Sequence, residues 1–220
     1  MSRLPRIVLP GIPHHITQRG NRRQRVFFED DDFALYLDLI TEAARKAGTE
    51  IWAYCLMPNH VHLIAVPHDA DGLRATFGEA HRQYTGHINA RAKWTGHLWQ
   101  GRYGSVAMSE AHLVNAIRYV AMNPVVAGMV EQVDHWQWSS AAAHMAGVDS
   151  NVVKVAPVLE RTGDFRVFLE GNGDAEALFA PIAKAISAGR PVGDKDWIAA
   201  MEARFGRVLT PGKRGPVPKA

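Results

Sequence analysis

The sequence holds a single cysteine, Cys55. One thiol has no partner within the chain, so no internal disulfide forms, and Cys55 is expected to fill a strand position. No stretch approaches the roughly 18 consecutive apolar residues that a membrane-spanning helix needs. The opening MSRLPRIVLPG carries arginines but no apolar segment before its prolines, which argues against a secretory signal. A reducing cytoplasm, near the nucleoid, is the setting these absences fit. Internal repeats are also absent. Acidic residues are missing from two long segments. Residues 1–28 carry Arg3, Arg6, Arg19, Arg22, Arg23 and Arg25 without one acid, and residues 80–108 carry Arg82, Arg91, Lys93 and Arg102 on the same terms. The second segment also contains Tyr84, Trp94, Trp99 and Tyr103. Basic groups neutralise phosphates and aromatic faces stack on unpaired bases, so two such segments in one small chain point toward nucleic acid.

What is present is ordinary in bulk. With 220 residues, 47% of them apolar and 21% charged, the chain can bury one good core and carry an appendage. HHITQR (14–19) reads as a first strand running into the turn signal Gly20-Asn21. Asp30–Asp32 offer N-cap chemistry for a helix that Gly48 ends. Ile51–Leu56 and His60–Val66 read as strands joined by the short Met57-Pro58-Asn59 link, which favours an antiparallel hairpin. A second helix is expected over Asp71–Ala92, and a fourth strand over Gly101–Met108. Ser109 then caps a third helix from Glu110 to about Met122, closed by Asn123-Pro124.

Strand, helix, strand, strand, helix, strand is the ferredoxin-like order. The expected fold is therefore α+β, an antiparallel sheet with helices packed on one face, plus a helical C-terminal extension. Composition shifts near residue 150. The expected division is a catalytic domain over 1–148, a mainly helical extension over 149–208, and a basic, disordered tail over 209–220.

The run MPNHVHLI (57–64) places two histidines in an otherwise apolar strand. Alternation puts His60 and His62 on one face while Val61 and Leu63 face the other, close enough for both imidazoles to reach one metal ion. Alone, such a pair reads more readily as two half-exposed histidines at a strand's start. The helix from Glu110 adds a second element. Its apolar stripe runs through Leu113, Val114, Ile117, Val120 and Ala121, which leaves His112, Asn115, Tyr119 and Asn123 on the other side. If that side meets the histidine strand, a phenol and an amide oxygen arrive together. His112 is a weaker candidate for a general base, and Tyr103 a rival nucleophile without an amide one turn on.

MPNHVHLI together with RYVAMNPVVAGMV further down the chain resembles the single-strand DNA transposases that carry a His-hydrophobic-His motif and one catalytic tyrosine. LPGIPHHITQRGNRRQRVF and GHLWQGRYGSV are similar to further blocks of the REP-associated tyrosine transposases, and the resemblance spans roughly residues 3–145. It implies that His60 and His62, with Asn123, hold a divalent cation, Mg²⁺ or Mn²⁺. It further implies that Tyr119 attacks a phosphate of single-stranded hairpin DNA (a REP-like palindrome) to give a 5′-phosphotyrosyl link and a free 3′-hydroxyl. Arg19, Arg22, Arg23, Trp99, Arg102 and Tyr103 are the expected DNA contacts, with core or helix packing the alternative for Trp99 and Tyr103. The expected assembly is a monomer or homodimer, with no membrane partner. A phenol is scarcely ionised near neutral pH, and a nearby cation favours its anion and the charge developing on phosphate. Covalent catalysis also retains the phosphodiester energy for rejoining.

Histidine-triad hydrolases continue the pattern to a third histidine, where this chain has Ile64. Amidohydrolase barrels need about 250 residues. A catalytically silent hairpin DNA or RNA binder on the same fold is the alternative from a different class.

Overall fold

The computed structural model describes residues 6–171 and 175–210; of the tail expected over 209–220, residues 211–220 lie outside the described residues, while Leu209 is buried. Four strands form one antiparallel sheet in the order β2-β3-β1-β4: β1 (His14–Arg19), β2 (Thr49–Met57), β3 (His60–Pro67) and β4 (Gly104–Ala107). The β2–β3 hairpin turns through Pro58-Asn59 and pairs Cys55 with His62 and Met57 with His60. On the other side of β3, Thr17 pairs with His62 and Arg19 with His60.

Helix α1 (Asp30–Ala47) starts at a reciprocal capping box between Glu29 and Asp32 and ends at Gly48, whose φ of +61° is the left-handed turn a glycine takes without strain. Asp32 also receives Arg91 of α2 (Glu79–Ala92) at 2.7 Å, tying the two helices together. The second helix does not run unbroken from Asp71. A wide, π-type turn over Arg74–Gly78 precedes α2. The fourth strand is also shorter than expected, because Gly101 at φ +72° breaks the extended run.

Helix α3 (Glu110–Val126) continues past Pro124, four residues beyond its expected end at Met122. Proline removes one donor and crowds the carbonyl four residues back. Here only the last turn is affected, and the Ala127 N–H still reaches the Asn123 carbonyl at 3.0 Å. Asn123 therefore stays helical, one turn below Tyr119.

The sheet has a core on each face. Phe33, Tyr36 and Ile40 of α1 and Ala80, Tyr84 and Ile88 of α2 pack on Ile16, Leu56, Val61 and Leu63, so the two helices of the ferredoxin-like unit share one face. On the opposite face α3 lays Leu113, Ala116, Ile117 and Val120 over Cys55, Met57, Ile64 and Val106. That second core is extended by α4 (Ala141–Ala146), α5 (Ala156–Thr162), α6 (Phe165–Glu170) and α7 (Ala175–Ala188), through residues such as Val158, Phe165, Phe179 and Ile182. Gly104 makes room for α7, since a Cβ there would meet Ile186 at 2.9 Å and Thr17 at 3.0 Å. Helix α8 (Lys195–Phe205) closes a small third cluster with Ile7, Leu9 and Leu209.

Candidate active site

Sheet alternation places His15, Thr17 and Arg19 of β1 on the same face as His60 and His62 of β3, under α3. His60 and His62 stand with ring centroids 4.9 Å apart and nearly perpendicular. Burial pushes the His60 pKa down to about 4, helped by the Arg19 charge, and drives that of His62 well below the ordinary range. Both rings are therefore neutral and keep a lone pair for a ligand. The His60 Nδ1 lies 2.6 Å from the Asn59 Oδ1. That oxygen only accepts, so Nδ1 carries the proton and Nε2 presents the lone pair. The other end of the Asn59 side chain donates to the Arg23 carbonyl at 3.1 Å. His62 Nδ1 meets His15 Nε2 at 3.0 Å, and the His62 Nε2 is buried with no protein partner. A buried polar atom left unpaired is costly, and a cation at this point would satisfy it.

Tyr119 comes down from α3 with its ring perpendicular to His62, centroids 5.2 Å apart. Phe179 of α7 lies flat against the Tyr119 ring, 3.6 Å between centroids and 3° from parallel, and turns an edge to His15 at 5.0 Å. His62, Tyr119, Phe179, Arg6, Arg19 and Arg102 all line one open cavity of about 880 Å³. Asn123 donates its side-chain amide to the Tyr119 carbonyl at 3.4 Å, leaving its oxygen uncommitted to that contact. His112 pairs with the Ser109 hydroxyl at 2.9 Å at the start of α3 and belongs to the helix entry.

The remaining expected residues divide. Arg19, Arg22, Arg23 and Arg102 are exposed. Arg22 and Arg23 sit at φ +53° and +62°, two consecutive side-chain-bearing residues in left-handed geometry. That strain of order 1–3 kcal/mol per residue is held by Asn59 and by the Gly20 N–H on the Asn59 carbonyl at 2.8 Å. The arginine turn is thus built onto the hairpin tip that leads to His60. Trp99 and Tyr103 do not offer faces for base stacking. They are only 6% and 7% exposed, packed with Tyr36, Phe77 and His81 on the α1–α2 side. Both stand among basic residues at a loop and a strand start, but the pleat and the loop turn them inward to complete the core. Tyr103 still borders the cavity at one edge, with its ring packed on Phe77 and covered by the Arg6 guanidinium at 3.7 Å.

A profile of the family described as "Transposase IS200 like" matches residues 10–123, which contain β1 through Asn123 and so the histidine strand and the tyrosine turn together. The chain belongs to this transposase family. Among proteins related to this IS200-like transposase is the REP-associated tyrosine transposase of Escherichia coli K12, 25% identical over 121 residues, or 54% of this chain and 70% of that protein. A putative REP-associated tyrosine transposase of Haemophilus influenzae is 28% identical over 102 residues, 41% of this chain and 58% of that one. A solved structure of a REP-associated tyrosine transposase bound to a REP hairpin shares the fold, with a TM-score of 0.57 at 24% identity over 70% of this chain and 92% of that one. The family makes this chain a DNA-cleaving transposase. None of its described helices is long and apolar enough to cross a membrane.

His15, Asn59, Arg6 and Phe179 belong to the site and were not singled out from sequence. Only the strand register shows that His15 faces His62, and only tertiary packing brings α7 over Tyr119.

Proposed function

We propose that the protein is a metal-dependent single-stranded DNA endonuclease and strand transferase that acts on hairpin-forming repeat DNA through a 5′-phosphotyrosine. One observation carries this reading: Tyr119 stands 5.2 Å from His62, which shares a strand face with His60 and keeps an unpaired Nε2. Two neutral imidazoles fit a divalent cation such as Mg²⁺ or Mn²⁺. Among the described residues no group of three His, Cys, Asp or Glu could hold a metal. The remaining positions therefore fall to an amide oxygen, Asn123 in this reading, and to the substrate's phosphate oxygens. When bound, the cation polarises the phosphate and favours the phenolate. Tyr119 then forms an Oη–P bond as the P–O3′ bond breaks, and the 3′-oxygen leaves as a hydroxyl after taking up a proton. The number of phosphoester bonds is unchanged, so a 3′-hydroxyl can reverse the step. Arg19, Arg22, Arg23 and Arg102 supply phosphate contacts beside the cavity. Hairpin DNA is the substrate suggested by the related protein solved with a REP hairpin.

The test is incubation with labelled single-stranded hairpin DNA and Mn²⁺ or Mg²⁺, then denaturing electrophoresis. A protein–DNA adduct lost in both Tyr119→Phe and His60→Ala is expected. Tight hairpin binding without any adduct would replace the reading with a silent binder.

A further inference from the structure

The two histidines of MPNHVHLI are held differently. His60 has its Nδ1 proton fixed by Asn59, an acceptor that allows one arrangement only. His62 has its Nδ1 against another imidazole, His15 Nε2, at 3.0 Å in a fully buried contact. Such a bond runs in either direction. If His62 donates, its Nε2 is a bare lone pair and the proton of His15 sits on Nδ1. If His15 donates, the proton of His62 sits on Nε2 and blocks it. His15 Nδ1 and His62 Nε2 are both buried without protein partners. Each direction therefore leaves one orphan donor and one orphan acceptor, and the protein alone does not separate them. A cation on His62 Nε2 does, because it needs the lone pair there.

We infer that His15 is the positioning residue of this site: it accepts the Nδ1 proton of His62, so that the Nε2 lone pair is free for the cation. The inference rests on the metal reading proposed above. Further geometry supports it. The two rings are 5.1 Å apart and 28° from parallel, with the Phe179 edge 5.0 Å from His15, so packing as well as the hydrogen bond fixes their approach. The neighbouring His14 is a useful contrast. Its Nε2 meets the Leu9 N–H at 3.2 Å and its Nδ1 the Ile12 carbonyl at 2.7 Å, so both nitrogens are satisfied and none is left for a partner ring. Adjacent histidines on one strand thus have separate tasks, one anchoring the N-terminal turn and the other serving His62.

The experiment uses the full chain, reading the His62 tautomer by long-range ¹H–¹⁵N correlation with and without Mg²⁺, and Mn²⁺ affinity by electron paramagnetic resonance. Saturating Mg²⁺ is expected to leave His62 protonated on Nδ1 alone. His15→Leu, an apolar filling of the same space, is expected to lose that preference and weaken Mn²⁺ binding by about 10–100-fold. His15→Gln, which restores an acceptor oxygen, should recover most of both. His62 found with its proton on Nε2 under Mg²⁺ overturns the inference. So does a folded His15→Leu, or a His15→Met in its place, that binds Mn²⁺ as the wild type does. A wild-type chain that binds no Mn²⁺ overturns the metal reading and this inference with it. His60→Ala separates the two, since it should weaken Mn²⁺ binding while the His15–His62 contact stays intact.

Discussion

On the α1–α2 face of the sheet, His81 is enclosed by Tyr36, Phe77 and Trp99, and its Nε2 meets the Tyr36 hydroxyl at 2.9 Å. On the α3–α7 face, His62 is equally buried, yet its Nε2 has no hydrogen-bond partner and its ring borders an open cavity. Burial lowers the pKa of both histidines, that of His81 to about 3. The first face pairs its histidine inside the core; the second leaves the Nε2 of His62 buried and without a hydrogen bond beside the cavity. Burial alone thus distinguishes nothing. Satisfaction of the buried atom does, and it separates a histidine committed to the fold from one that the proposed function can use.

The widest separation between the faces should come from Tyr119→Phe. Removing one hydroxyl beside the cavity is expected to abolish the covalent DNA adduct while leaving the urea midpoint of unfolding nearly unchanged. On the other face Phe27→Ala should do the reverse. Phe27 is fully buried against Phe33, Tyr36 and Tyr84, and its loss should cost about 3–5 kcal/mol in denaturant titration. Phe179→Ala tests the boundary between these behaviours. It deletes the ring stacked on Tyr119, so it should cost about 1–3 kcal/mol and speed nitration of Tyr119 by tetranitromethane. Unchanged nitration would mean that Phe179 does not cover the phenol in solution.

Tyr36→Phe should cost about 1–3 kcal/mol, because it strands the buried His81 Nε2. A further contrast is in acid. Burial holds His14 to about 4 and His81 to about 3, both below the ordinary imidazole value. As pH falls below about 6.5 the unfolded chain takes up these protons first, so stability is full above neutrality and falls toward pH 4. Each histidine contributes up to about 1.4 kcal/mol per pH unit. Urea midpoints at pH 7 and pH 5 measure this; a flat profile would show that the two histidines are solvated in the native state.

The readable part of the site was its local part. His60 and His62 alternate with Val61 and Leu63, so a period of two already put them on one face. A period near 3.6 put Tyr119 off the stripe that buries α3. Arg22 and Arg23 followed a turn signal and are exposed, as a charged turn must be. Sequence left Trp99 and Tyr103 open between DNA contact and core, because their neighbours in sequence are basic while their neighbours in space are Tyr36, Phe77 and His81. The helix end at Pro124 misled for a related reason. A proline cost that is prohibitive mid-helix is small in a last turn whose other bonds are intact.

Sequence by itself determined the strand and helix order, the face that carries both histidines, and the side of α3 that carries Tyr119, because each is set by a short-range period or by residues in adjacent turns. Only tertiary structure decided that His15 meets His62, that Asn59 holds both His60 and the arginine turn, and that Phe179 lies over Tyr119. Those contacts join His15 to His62, Asn59 to Arg23 and Phe179 to Tyr119, which lie 47, 36 and 60 positions apart. Strand register and helix docking bring them together, and no local pattern encodes either one.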